Sequence, residues 1–430
     1  MKKHLLALSA AAVLLAPNAV GAEGFSINEW SAEGFAMGGA RMFAENDAAN
    51  MAYNPASLTK IKGEVAKISA TYISPHGKYK VNPTAMGSGM TSAPTSGHNR
   101  VHPAWAPGMY YAKQLNEKEY IGFASYARFG NSCQFKQGSL PGFNNTSSKV
   151  NGMSVGMNYA KKLDNKWSAS LGAEVNYAWL QIDKTMPAGF PYDGKMQVEG
   201  ESYALGWNAA ANYAFDDKNE VGIVYRSAVN HSMEANVRAH GYMTTQVGGV
   251  GTGYATGEAY GCVTLPESVM IGYGHKFNDK TRVELNGTWT RWSRFDALDM
   301  KFTPGTEHPD SKNWKDGWRY AIGVEHKLSD KYSLLAGAAY DESGIPDYEL
   351  GNDDTWGADF MVPTGTRTTF TIGGQYHDDK QTVALTIGYM KVGDLFIEGD
   401  GSEHGNTFYD SAKMYDSYTK LVSISYQYNF

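Results

Sequence analysis

Apolar and polar residues alternate one for one in this chain, over runs longer than a soluble strand needs. Across 167–179, Trp167, Leu171, Val175, Tyr177 and Trp179 share one face, while Ser168, Ser170, Glu174 and Asn176 share the other. Val269, Ile271, Tyr273 and Phe277 repeat the pattern, as do Val383, Leu385, Ile387 and Tyr389. A period of two marks a strand with one apolar and one polar face. Strands of soluble sheets usually stop after about five or six residues. Runs of about ten or more fit a tilted strand that crosses a bilayer.

The connections carry a second regularity. Tight charged turns occur at 116–118, 164–166, 216–219, 278–280, 329–331 and 378–380. Asn, Asp and Ser suit such turns because their side chains bond the local backbone. Between them lie long irregular stretches at 74–105, 131–147, 185–199, 236–265, 296–311, 342–366 and 392–419. Short and long connections alternate, as in outer-membrane barrels with short periplasmic turns and long external loops. The count gives fourteen strands, near 64–73, 107–115, 119–130, 149–163, 166–183, 200–215, 220–235, 266–277, 281–295, 312–327, 331–341, 367–377, 381–391 and 419–430. The expected fold class is all-β, a 14-stranded antiparallel transmembrane β-barrel in the bacterial outer membrane.

Composition removes other classes. Mean hydropathy is below zero, and the one long apolar run, 5–16, is too short for a spanning helix of about 20 residues. Lys2 and Lys3 before that run, and Val20-Gly21-Ala22 after it, read as an export signal over 1–22. The net charge of −6 becomes more acidic once those lysines are removed, and no basic stripe points to nucleic acid. Cys133 and Cys262 could form one bridge or none.

Opposite the apolar faces sit Glu174, Asn176, Arg282, Glu284, Arg319 and Glu325. Arg or Lys facing lipid near the midplane costs roughly 2–4 kcal/mol, so these side chains belong in the bore. A polar bore is a water channel unless something fills it. Residues 23–60 do not alternate and contain helical tries near 31–42 and 47–53. They are the candidate plug, which gives an organisation of signal 1–22, hatch 23–60 and barrel 61–430. The last strand places Val422, Ile424, Tyr426, Tyr428 and Phe430 on one face. An alternating segment ending in Phe430 resembles the signal by which the barrel assembly machinery recognises its clients.

Gly24-Phe25-Ser26-Ile27-Asn28-Glu29, Asp47-Ala48-Ala49-Asn50 and Asn54-Pro55-Ala56 resemble the hatch of the FadL family of long-chain fatty acid transporters, which includes the TodX-type hydrocarbon channels. Leu265-Pro266-Glu267-Ser268-Val269, Trp289-Thr290-Arg291-Trp292-Ser293-Arg294-Phe295, Gly317-Trp318-Arg319-Tyr320-Ala321-Ile322-Gly323 and Ala339-Tyr340-Asp341-Glu342-Ser343 extend the likeness along the mature chain. The resemblance implies a hatch-plugged barrel that takes up hydrophobic small molecules, most simply long-chain fatty acids; an aromatic hydrocarbon or other apolar compound is the alternative within the class. It implies no cofactor, no metal and no catalysis, a surrounding of outer-membrane lipid, and a monomer. A surface adhesin or structural barrel is the reading from a different class.

The resemblance also implies an external apolar groove, a pocket by the hatch and a lateral opening at a kinked third strand. Met186, Phe190, Tyr192, Met196, Tyr242, Met243 and Tyr254 are the groove candidates; the plain alternative is that they pack the loops on themselves. Gly122, Phe123, Ala124 and Ser125 are the expected kink, facing Asn54, Pro55 and Ala56. Lys184, Lys312, Lys315 and Arg319 are the candidate partners of a substrate carboxylate, with bore ion pairs as the alternative. Val362-Pro363-Thr364-Gly365-Thr366-Arg367 departs from the family's Pro-Asp-then-Arg pattern and leaves the substrate open.

Other signals lack context. Gly152-Met153-Ser154-Val155-Gly156 spells a nucleophile elbow, but inside an alternating strand. Gly248-Gly249-Val250-Gly251-Thr252-Gly253 does not open a helix. His98, His102, His231 and His240 fall in or near long connections and read as solvated.

Overall fold

The structure, a computed structural model, describes residues 24–430 except 86, 88–93, 187–193, 244–250, 296, 299, 303–305, 309–311, 350–356 and 400–407. The side chains of 240–243, 251–255 and 306–308 are also outside the description, as is the expected export segment 1–22. Fourteen antiparallel strands form the wall: β1 Glu64–Pro83, β2 Ala104–Gln114, β3 Glu119–Gln134, β4 Ser147–Lys162, β5 Trp167–Met186, β6 Gly194–Ala214, β7 Asn219–Arg226, β8 Ser268–Lys276, β9 Thr281–Thr290, β10 Gly317–Lys327, β11 Tyr332–Asp341, β12 Arg367–His377, β13 Gln381–Val392 and β14 Tyr409–Asn429. β14 pairs back onto β1, from Val65↔Asn429 upward, and closes the ring. Closure leaves no edge to lipid, where an unpaired peptide group costs several kcal/mol.

The outer ends differ from expectation. β1 runs on to Pro83, β14 already begins at Tyr409, and the two stay paired. β7, expected to run to 235, breaks after Arg226, and Val229–Met243 then pairs with Gly251–Leu265, although a loose loop was expected over 236–265. Apolar alternation ends where lipid ends, but a backbone ladder needs no apolar face to continue. The ninth strand is shorter than expected, because Trp292–Arg294 turns into a 3-10 helix.

The short turns all use one device. Asn116, Asp164, Asp216, Asn278, Ser329 and Asp378 each accept from the backbone N–H groups two and three residues on. In the exposed turns the N–H groups of Trp167 and Lys166 hold Asp164 below the usual carboxylate range, and those of Lys380 and Gln381 do the same for Asp378. This contribution is present above the ordinary carboxylate pKa and is lost as pH falls through the depressed value.

The alternation sorts as the sequence predicts. Leu171 and Val175 on β5, Ile271 on β8, Leu385 and Ile387 on β13, and Ile424 on β14 stand exposed on the outside. Ser168, Ser170, Glu174 and Asn176 on β5, and Ser423, Ser425 and Gln427 on β14, are buried. So continuous an apolar outer face has no place in water.

The hatch fills the bore. Its helices, α1 Ala32–Ala36 and α2 Asn50–Tyr53, are shorter than expected. Ser31 Oγ caps α1 by accepting from Gly34 N, and Gly38 at φ 62° and Gly39 at φ 86° end it. The hatch is bonded to the wall on every side. Ala32 N donates to Ser425 Oγ at 2.7 Å, Thr371 Oγ1 donates to Ala36 O at 2.8 Å, and Met42 N donates to Glu284 Oε2 at 2.6 Å. Asn54 Nδ2 donates to Asn212 Oδ1 at 2.6 Å. The wall has glycine where the hatch comes closest: a Cβ on Gly337 would stand 2.2 Å from Gly38 N, and one on Gly388 2.3 Å from the Phe35 ring.

The expected bore charges pair with the hatch and with one another. Lys67 of β1 reaches Glu33 at 2.9 Å and Asp47 at 2.7 Å. Arg41 bridges Asp47 at 3.1 Å and Glu325 at 3.3 Å, and Arg282 holds Glu284 and Glu325 at 2.7 Å each. Lys67→Met would leave Glu33 and Asp47 buried without that cation, at a cost of about 3–5 kcal/mol. The expected result is lost hydrogen-exchange protection across 32–53, with wall protection kept and ion conductance raised. Unchanged hatch protection would show that the cluster does not hold the plug.

Candidate functional site

β3 is irregular where it meets the hatch. Its ladder with β2 runs from Gln114↔Tyr120 to Gly108↔Tyr126 and stops there, while β2 stays paired with β1 up to Ile73↔Ala104. On its other side β3 pairs with β4 to Gln134↔Ser147, with a register shift between Ala127 and Phe129. The hatch takes the edge that β2 gives up. Ile27 N donates to Arg128 O at 2.9 Å, Gly130 N donates to Phe25 O at 2.8 Å, and Trp30 Nε1 donates to Ala127 O at 2.9 Å. Backbone groups that would otherwise be orphaned are thus bonded to the plug.

The break therefore falls at Ala127–Phe129 and not at Gly122, Phe123, Ala124 and Ser125, which pair without interruption on both sides. Gly122 serves a different purpose. A Cβ there would stand 2.4 Å from Met51 Sδ and 3.0 Å from Leu58 Cδ1, so it makes room for the hatch. Phe123 faces outward and is exposed, whereas Ala124 and Ser125 are buried. Of the hatch motif, Asn54 bonds β6 instead of β3, and Pro55 and Ala56 open the 3-10 helix Pro55–Lys60.

Above the hatch's first residues lies an apolar pocket of about 700 Å³, open mouth included. Phe25 forms its floor with Phe129, their rings 5.9 Å apart, and packs edge-on against Trp292 and Phe295 at 4.9 and 5.3 Å. Val150, Leu180, Ile182, Met233, Val263, Leu265, Leu298, Trp314 and Met361 line the rest with Phe295. A second pocket, lined by Ile27, Trp30, Arg128, Arg226 and Met270, lies on the other side of Phe129, which lines both. There Arg128 pairs with Glu174 at 2.7 Å, and Arg226 Nη2 donates to Ala52 O at 2.7 Å.

The expected cations separate. Lys312 lines the apolar pocket, with Nζ 2.6 Å from Asp359 Oδ2. Arg319 lies near the outer end of β10, 2.7 Å from Asp341 and donating to Gly38 O. Lys315 is exposed and donates to Asn313 Oδ1, and Lys184 is half-buried near the end of β5. Of the groove candidates, Met196 packs against the cluster of Val198, Val237, Ala259 and Phe302, and Met186 is half-buried at the end of β5. Phe190 and Tyr192, and the side chains of Tyr242, Met243 and Tyr254, lie outside the described residues.

Sequence reasoning missed part of the pocket. His231, expected to be solvated, is 1% exposed and lines it. Asp359 and Met361 come from a connection with no periodicity to read. The cysteines are unbridged, Cys133 buried and Cys262 exposed. Ser154 of the elbow-like motif lies mid-strand and donates to Asn176 Oδ1.

Residues 13–430 match the family described as outer membrane protein transport protein (OMPP1/FadL/TodX). Relatives include the long-chain fatty acid transport protein of Escherichia coli K12, 25% identical over 426 residues, covering 89% of this chain and 91% of that protein. Outer membrane protein P1 of Haemophilus influenzae is 24% identical over 443 residues, covering 91% of each. Among solved structures, a Pseudomonas aeruginosa FadL homologue superposes with a TM-score of 0.80 at 16% identity, covering 95% of this chain and 100% of that one. The Pseudomonas putida toluene transporter TodX gives 0.71 at 16% identity, covering 94% and 99%.

Ile27→Pro removes the donor that bonds Arg128 O. The neighbouring Gly130 amide, bonded to Phe25 O, should then exchange about tenfold faster, the equivalent of one hydrogen bond. The Gly122 amide serves as the internal reference. Equal exchange of Gly130 in both proteins would mean that the hatch does not hold this edge.

Proposed function

The chain belongs to the OMPP1/FadL/TodX family of outer membrane transport proteins, and on that premise we propose that it carries hydrophobic molecules passively inward, long-chain fatty acids first among them. An acyl chain of about fifteen methylenes gains on the order of 12 kcal/mol on leaving water, at about 0.8 kcal/mol per CH₂. Such a molecule gains nothing from a wet pore and needs apolar contact along its route. The observation that carries the reading is the apolar pocket seated on Phe25 and Phe129, next to the place where β3 has lost β2.

The route follows from that arrangement. A ligand enters from the outer loops, settles over Phe25, and is released when the segment around Ser26 and Ile27 leaves the β3 edge. The gap between β2 and β3 beyond Tyr126 then offers a sideways path into the bilayer, so the lateral opening belongs at 127–134. Lys312 can meet a carboxylate only by sharing it with Asp359, 2.6 Å away. Aromatic hydrocarbons are the second reading, supported by a lining that is almost wholly apolar.

Uptake of labelled oleate by a transporter-deficient strain expressing this protein should rise well above background. Background uptake with a correctly assembled barrel would rule out fatty acid transport. A second test asks whether the hatch must move. With Cys133 and Cys262 replaced by serine, cysteines at Ser26 and Phe129, which form a bridge pair, should cross-link on oxidation. Oxidised protein should lose uptake and regain it with reductant. Full uptake by the cross-linked protein would remove the sideways exit.

A further inference from the structure

Among the described residues, two side chains of the pocket above Phe25 have nothing to bond, the His231 imidazole and the Trp314 indole N–H, and only the imidazole can both donate and accept. His231 is 1% exposed, and neither Nδ1 nor Nε2 has a hydrogen-bond partner among the described residues. It lines the pocket together with Met233, two residues further along the same face. Apart from the Trp314 indole N–H, the other polar side chains in the lining are engaged. Asn131 Nδ2 donates to Met361 O at 2.8 Å, Ser148 Oγ donates to the same oxygen, and Lys312 is paired with Asp359. A neutral imidazole offers one donor and one acceptor, and burying both unused is unfavourable unless a ligand supplies their partner.

We propose that His231 is the polar anchor of this pocket and selects apolar chains that end in a carboxyl or hydroxyl group over bare hydrocarbons. The inference rests on the transport reading above and sharpens it. A hydroxyl or a protonated carboxyl can donate to the bare ring nitrogen or accept from the ring N–H, and a carboxylate can only accept. A hydrocarbon fills the same walls and leaves the imidazole orphaned. Sites built around a hydrogen bond discriminate against analogues that lack it, whereas purely apolar walls discriminate weakly.

The test uses purified full-length protein in amphipol and three probes of equal chain length: 12-bromododecanoic acid, 12-bromododecan-1-ol and 1-bromododecane. Trp314 lines the pocket, so bromine quenching of tryptophan fluorescence reports binding. In His231→Phe the affinity for the acid, the alcohol or both should fall about tenfold, the worth of one hydrogen bond. Binding of 1-bromododecane should stay at the wild-type level, and His231→Gln should recover most of the loss. A drop for the acid alone identifies the carboxyl as the recognised end; a drop for both identifies any hydrogen-bonding end. If the Phe variant does not assemble, His231→Met, which copies its neighbour Met233, makes the same comparison. The inference is overturned if the variant binds all three probes like the wild type, or loses all three alike. Wild-type protein that binds none of the probes overturns the transport reading along with it.

Discussion

Lipid offers no hydrogen bonds, so every peptide group of the wall must find its partner inside the protein. Most of the wall meets that demand with strand neighbours. β3 cannot, because β2 leaves it after Tyr126, and it is the plug that completes the ladder through Phe25, Ile27 and Trp30. The plug is therefore part of the wall at this point. Whatever draws Phe25 out of place also exposes the edge of β3, so the pocket floor and the gap in the wall are one mechanical unit.

Two chemistries are kept apart inside the bore. The lower part is ionic and tightly paired, with Lys67, Arg41 and Arg282 each bound to buried carboxylates. Buried pairs of this kind are poor sources of net stability, but they are costly to break one side at a time. They fix where the plug sits. The upper part, around Phe25, Phe129, Trp292, Phe295 and Trp314, is aromatic and nearly free of charge. Under the proposed function, its few directional bonds suit ligands of varied shape.

The wall was legible in the sequence because lipid imposes a strict period of two. Leu171, Ile387 and Ile424 point outward as their spacing requires, and the capped turns at Asn116, Asp164 and Asp378 fall where their residue types predict. The hatch was legible as a segment that does not alternate, and family resemblance gave it a place. The break in β3 was misplaced by a few residues. Glycine marks a bulge and a close approach equally well, and at Gly122 it is the hatch side chains Met51 and Leu58 that need the space. The pocket was the least legible part. His231, Phe295 and Asp359 meet only through tertiary packing of separate connections, which leaves no local period behind.

Membership in the transporter family sets the setting, an outer-membrane barrel, and the pocket supports our proposal that apolar cargo is taken from the outside and handed sideways. The most direct measurement is a cryo-electron microscopy structure of the full-length protein in a lipid nanodisc with a terminally brominated sixteen-carbon fatty acid. The account predicts acyl density against Phe25, Phe295 and Met361, with the hatch still seated on Lys67 and Arg282. Density confined to the outer lipid-facing surface, with that pocket closed by protein side chains, would contradict it.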